Sequence, residues 1–124
     1  MRVLIADDDA QVRSALKLLL EQQPDTALVA ETGCAYEVVA LAASTVPDVI
    51  LLDWQLPGGD SAELVQSLRR TRPGVTVIAL SARPECEKAA RSCCIIGFIS
   101  KNDSPEVLLN LLDRLAGDLN SITA

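Results

Sequence analysis

"DVILLD", residues 48–53, is apolar at every position between its two aspartates. A strand with one wet face alternates polar and apolar residues, so an unbroken apolar run of this length marks a strand covered on both faces. Downstream, "LPGGDS" (56–61) is a loop rich in turn formers, and "AELVQSLRR" (62–70) sets Leu64, Val65 and Leu68 on one helical face. "RPGVTVIAL" (72–80) then turns through Pro73 and Gly74 into a further strand. Upstream, "RVLIA" (2–6) reads as a short strand, and "QVRSALKLLLEQQ" (11–23) spaces Val12, Leu16, Leu19 and Leu20 as a helix does. Pro24 and Asp25 break that helix, "TALVAE" (26–31) is a second strand, and "AYEVVALAAS" (35–44) is a second helix ahead of Pro47.

Past residue 80 a weaker helix is expected over roughly 85–93, then a fifth strand in "IIGFIS" (95–100). Ser104 and Pro105 signal the start of a last helix and Gly117 its end, with Val107, Leu108, Leu111, Leu112 and Leu115 as its apolar stripe. Five strands alternating with five helices predict an α/β fold: a doubly wound, five-stranded parallel sheet with helices on both faces. The expected domain spans 1–118, leaving 119–124 as a tail or the start of a linker.

Bulk properties narrow the function. The 124 residues are 49% hydrophobic and 23% charged, a globular balance for a single domain. A formal net charge of −6 opposes nucleic acid and anionic membranes, and no basic cluster relieves it. "MRVLIADDD" has too short an apolar run for a signal peptide and no stretch is long enough to span a membrane, so a cytoplasmic protein is expected. Cys34, Cys86, Cys93 and Cys94 lack zinc-site spacing, and the chain has no histidine, so reduced structural thiols are expected.

Ligands of doubly wound sheets bind beyond the carboxyl ends of the strands, where the winding reverses. Here those ends carry Asp7 and Asp8, Asp53, Ser81 and Lys101. If the strand order is 2-1-3-4-5, strands 1 and 3 are adjacent, and Asp7 or Asp8 meets Asp53 over one edge. Two carboxylates about 5 Å apart repel by about 3 kcal/mol at an effective dielectric near 20. A hard divalent cation such as Mg2+ is the economical remedy, with Lys101 as a second positive group and Ser81 as a hydroxyl donor for a phosphoryl group.

Four segments in order, "LIADDD", "VILLDWQLPGGD", "VIALSA" and "GFISKNDSPEVLL", resemble the receiver domain of a bacterial two-component response regulator, of the NarL/LuxR type. The resemblance implies the flavodoxin-like receiver fold and a signalling phosphoacceptor rather than an enzyme. It implies that Asp8 binds Mg2+ directly, Asp7 mainly through water, and Asp53 and the Gln55 backbone carbonyl as further ligands. Asp53 is then the nucleophile that takes a phosphoryl group from a sensor histidine kinase, with Ser81 and Lys101 holding its oxygens. Ser81 and Phe98 form the switch, remodelling the surface of helix 4, strand 5 and helix 5, and Phe98 is core in any reading. A homodimer through that surface and a C-terminal DNA-binding effector domain outside this chain are left open. Asp9, with no part in the scheme, is expected to cap helix 1.

Three departures stand out. "CCIIG" (93–97) replaces a small pair and a polar residue, raising the question of an interface at Ile96; Ser61 stands where many relatives have Gly; Asn102 follows the lysine where many have Pro. A flavin binder of the same strand order would need a Ser/Thr/Gly-rich phosphate loop where this chain has "DDDA". The competing reading is a receiver-like dimerisation or protein-interaction module that works without phosphorylation.

Overall fold

The computed structural model describes the backbone of residues 1–123 and the side chains of residues 1–119. The chain runs β1 (Arg2–Ala6), α1 (Ala10–Glu21), β2 (Ala27–Thr32), α2 (Ala35–Thr45), β3 (Val49–Asp53), α3 (Ser61–Thr71), β4 (Thr76–Ser81), a 3-10 turn (Pro84–Cys86), α4 (Glu87–Arg91), β5 (Gly97–Ser100) and α5 (Pro105–Thr123). All neighbouring strands are parallel, in the order β2-β1-β3-β4-β5. The expected doubly wound α/β fold is the one observed.

The unbroken apolar run of β3 has its predicted cause, since every one of its residues is buried. Strand alternation divides them between two cores. Ile50 and Leu52 join Leu4, Ala6 and Val77 beneath α2 and α3, while Val49 and Leu51 join Val3, Ile5, Ile78 and Leu80 beneath α1 and α5.

Five local expectations need correction. Helix 4 is a 3-10 turn plus a five-residue α4, and Ala90 is its single buried residue, so it has no apolar stripe to anchor a longer helix. Strand 5 starts at Gly97, after Ile95 has packed under the α2 and α3 side and Ile96 has been left 53% exposed. Phe98 is half-buried and belongs to neither core, because β5 is an edge strand and Phe98 shares its face with Ser100, opposite the buried Ile99. Val107, 41% exposed, falls outside the stripe of α5, which packs through Leu108, Leu111, Leu112 and Leu115.

Gly117 does not end α5, which continues to Thr123, because this glycine has no left-handed φ with which to close a cap. Of the expected tail, 119–123 are helical in backbone and Ala124 lies outside the described residues.

Past α4 the chain turns through Cys94 at φ 62°, a left-handed conformation that crowds a side chain. Its side chain is exposed and joins neither core, so it offers no packing in return. Cys94→Gly is expected to stabilise the fold by about 1 kcal/mol, net of the extra freedom glycine has when unfolded. Urea denaturation checks this; no gain would show that the turn is held without strain.

Candidate functional site

The carboxyl edge of the sheet collects the predicted residues. Asp7 follows β1, Asp53 closes β3, Ser81 closes β4 and Lys101 follows β5. Parallel register explains the convergence: Ala6 pairs with Leu52, Asp53 with Leu80, and Ser81 with Ser100. Oxygens of Asp7, Asp8 and Asp53 all lie within 4.8 Å of one another, with Asp7 and Asp53 buried and Asp8 exposed.

Lys101 Nζ lies 2.7 Å from Asp7 Oδ2 and 3.5 Å from Asp53 Oδ2. The other oxygens are held by backbone: Asp9 N–H donates to Asp7 Oδ1 at 2.9 Å, and Gln55 N–H donates to Asp53 Oδ1 at 3.0 Å. Asp7 Oδ2 is balanced in charge by the ammonium yet has no partner in hydrogen-bonding geometry. A buried carboxylate oxygen left so, beside two further carboxylates, suits a hard cation or one of its waters, and the all-oxygen donor set fits Mg2+.

Burial pushes the Asp53 carboxyl above the ordinary aspartate pKa, the Gln55 N–H opposes that, Asp7 reinforces it, and Lys101 draws it back. For Lys101 burial works against the charge, but the close contact with Asp7 and the attraction of Asp53 outweigh it and hold the amine above its usual pKa.

The third acid has the separate task expected of it. Asp9 is the N-cap of α1, its Oδ1 accepting the Gln11 N–H at 2.8 Å and the Val12 N–H at 3.4 Å. Ser61 is accounted for as well: it is buried, and its Oγ donates to the Trp54 carbonyl at 2.6 Å, fixing the backbone just past Asp53. Trp54 itself packs against the α2 and α3 core, away from the acids. After Lys101, Asn102 joins through a trans bond, and the loop closes locally as Ser100 N–H meets Asp103 Oδ2 at 2.9 Å and Asp103 N–H meets the Ser100 carbonyl at 2.9 Å.

Phe98 is the predicted residue that stands apart from this cluster, on β5 beside its register partner Ala79.

Two contacts escaped the sequence reading. Arg13 Nη1 donates to the Asp7 carbonyl at 2.6 Å while its Nε pairs with Glu31 at 3.2 Å, bracing the acidic turn from α1 and β2. Gly33 makes room for this, since a Cβ there would stand 3.3 Å from Arg13 Nη1 and 3.4 Å from Asp8 Cα. The adjacency of β1 and β2 was the one available clue to the Glu31 pairing. The Gln55 side chain is the second, accepting from Ser81 Oγ at 2.7 Å; nothing in the sequence spacing links those two residues.

Comparison with known proteins agrees with this geometry. The model of a family described as "Response regulator receiver domain" matches residues 3–113. The chain is similar to the nitrate/nitrite response regulator protein NarL of Escherichia coli, 32% identical over 116 residues, covering 92% of this chain and 54% of that protein. It is also similar to the transcriptional regulatory protein YxjL of Bacillus subtilis, 28% identical over 118 residues, covering 94% and 54%. It thus spans about half the length of these curated relatives. Among solved structures, the isolated REC domain of RcsB from Salmonella enterica serovar Typhimurium with phosphomimetic BeF3- superposes with a TM-score of 0.87 at 26% identity, covering 94% of this chain and 88% of that one. A LuxR-family response regulator from Aurantimonas sp. SI85-9A1 gives 0.85 at 26%, covering 94% and 85%.

A carboxyl whose pKa is higher folded than unfolded favours the fold most when protonated, and that contribution is lost as pH rises through the folded value. Asp53 is such a group, so metal-free Asp53→Asn is expected to melt above the wild type at pH 7. The gap should close as pH falls below about 4, where the wild-type group is protonated in both states. Thermal melts in chelator across this range test it; a lower midpoint for the variant at pH 7 would mean that Lys101 outweighs burial.

Proposed function

The chain belongs to the response regulator receiver domain family, and from that premise we propose that Asp53 is its phosphoacceptor, charged by a sensor histidine kinase. The observation that carries this reading is the buried Asp53, with one oxygen on a backbone N–H and the other 3.5 Å from Lys101 Nζ, beside two further acids. The Gln55 N–H fixes the direction of the carboxylate and leaves Oδ2 to attack. An O–P bond forms at Asp53 as the P–N bond of a phosphohistidine breaks, and the leaving imidazole keeps the electron pair. Asp8, Asp53 and the Gln55 carbonyl, with Asp7 acting through water, would hold Mg2+, which would supply positive charge for the phosphoryl oxygens. Lys101 stands ready to pair with those oxygens, and Ser81 is the hydroxyl that closes on them.

The phosphoryl group favours the state in which Ser81 has moved to it, and Phe98 follows on the same face of the sheet, where its register partner is the small Ala79. Output then passes through α4, β5 and α5, where Ile96, before β5, and Val107, in the first turn of α5, are each exposed apolar residues available for self-association or an effector. Residues 1–118 are the receiver unit in this reading, and the backbone of its last helix, α5, runs on to Thr123. A DNA-binding effector is supported by the similarity to transcriptional regulators about twice as long. No helix among the described residues is long and apolar enough to cross a membrane.

With Mg2+ and a small phosphodonor, wild-type protein is expected to gain one phosphoryl group by intact mass, with a change in Trp54 fluorescence. Asp53→Asn should gain none, and Lys101→Ala should react about 100-fold more slowly, the usual loss when one preorganised oxyanion partner is removed. Metal binding with no gain in mass would instead favour a phosphate-independent interaction module.

A further inference from the structure

Ser81 is the hydroxyl that a phosphoryl group on Asp53 must recruit, and it is already engaged. Its Oγ is fully buried and accepts the Arg83 N–H at 2.9 Å. Its proton has two acceptors within reach, Gln55 Oε1 at 2.7 Å and the Arg83 carbonyl at 3.3 Å, and the shorter contact is the stronger. The opposite end of the same carboxamide is also occupied, as Gln55 Nε2 donates to Cys86 Sγ at 3.2 Å. With its nitrogen on that sulfur, the amide presents its oxygen to Ser81. Gln55 also touches the acceptor itself, through its backbone N–H on Asp53 Oδ1.

A serine hydroxyl has one proton to donate. We propose that Gln55 is a positioning residue that latches Ser81 in the unphosphorylated arrangement, its Oε1 competing with the phosphoryl oxygens for that single proton while Cys86 aims the carboxamide. This rests on Asp53 being the phosphoacceptor. Recruitment of Ser81 then requires loss of the Ser81–Gln55 bond, and the exposed carboxamide returns to water. Forfeiting one ordinary hydrogen bond of about 1 kcal/mol corresponds to about fivefold in affinity.

The test uses beryllium fluoride with Mg2+ as the phosphoryl mimic and Trp54 fluorescence as the readout, in wild type, Gln55→Met, Gln55→Ala, Ser81→Ala and the Gln55→Met/Ser81→Ala double variant, with Asp53→Asn as control. Methionine keeps the length of the side chain and removes both amide contacts. Gln55→Met and Gln55→Ala are each expected to bind the mimic about fivefold more tightly than wild type. In the Ser81→Ala background Gln55→Met should bring no such gain, because no proton remains to compete for; a merely structural role for Gln55 would act in both backgrounds. Unchanged or weaker binding in both Gln55 variants, with Asp53-dependent binding intact in the wild type, overturns the latch and leaves the phosphoacceptor reading standing. An equal gain in the Ser81→Ala background also overturns the latch. Loss of Asp53-dependent binding in the wild type itself overturns both.

Discussion

Three carboxylates gathered at one end of a buried sheet can coexist only because a cation is built in among them. Lys101 touches Asp7 and approaches Asp53, reaching them from the end of β5 across β4. One ammonium does not cancel the cost of the site: burial first, and the neighbouring Asp7 second, hold the Asp53 pKa above its ordinary value against the pull of the Gln55 N–H and Lys101. Such a site is strained in its charges rather than in its backbone. Three clustered carboxylates with one ammonium among them suit a hard divalent cation.

The rest of the fold keeps these groups in place. β3 lies at the centre of the sheet with both faces covered, so Asp53 stands on the most rigid strand available. Around it the acidic turn is pinned three ways: by the Asp7 to Asp9 bond, by the cap of α1, and by Arg13 leaning on the Asp7 carbonyl. The opposite holds beyond β4. From Pro84 to Ile96 only Ala90 is buried, so this stretch has little packing to lose when it shifts. The site is thus rigid at the acids and loosely packed at α4, and Ser81, Gln55 and Cys86 form a hydrogen-bonded line between the two.

Much of this was legible in the chain. The apolar run of β3, the helical spacing of Leu16 and Leu20, and the turn residues between them are local signals with local causes, so the elements and their order followed directly. Asp7, Asp8, Asp53, Ser81 and Lys101 could be brought to one edge because strand ends, once the order is known, have nowhere else to go. The misses share a different cause. Val107 fits a helical stripe by spacing yet faces water, Phe98 looks like core yet sits on an edge strand, and Gly117 looks like a stop yet lies within α5. For Val107 and Phe98 a neighbour in space, or its absence, overruled a pattern in sequence, and Gly117 lacks the left-handed φ that would have closed the helix.

The sequence by itself determined the alternation of strands and helices, the two-sided burial of the sheet and the identity of the acids, serine and lysine at its carboxyl edge, because periodicity and strand-end chemistry are properties of residues near one another in the chain. Tertiary structure alone decided that Lys101 pairs with Asp7 more closely than with Asp53, that Arg13 braces the acidic turn, and that Gln55 holds Ser81. These are contacts between residues far apart in the chain or on different elements, and their distances depend on how the sheet twists and how each loop closes, which no local pattern encodes.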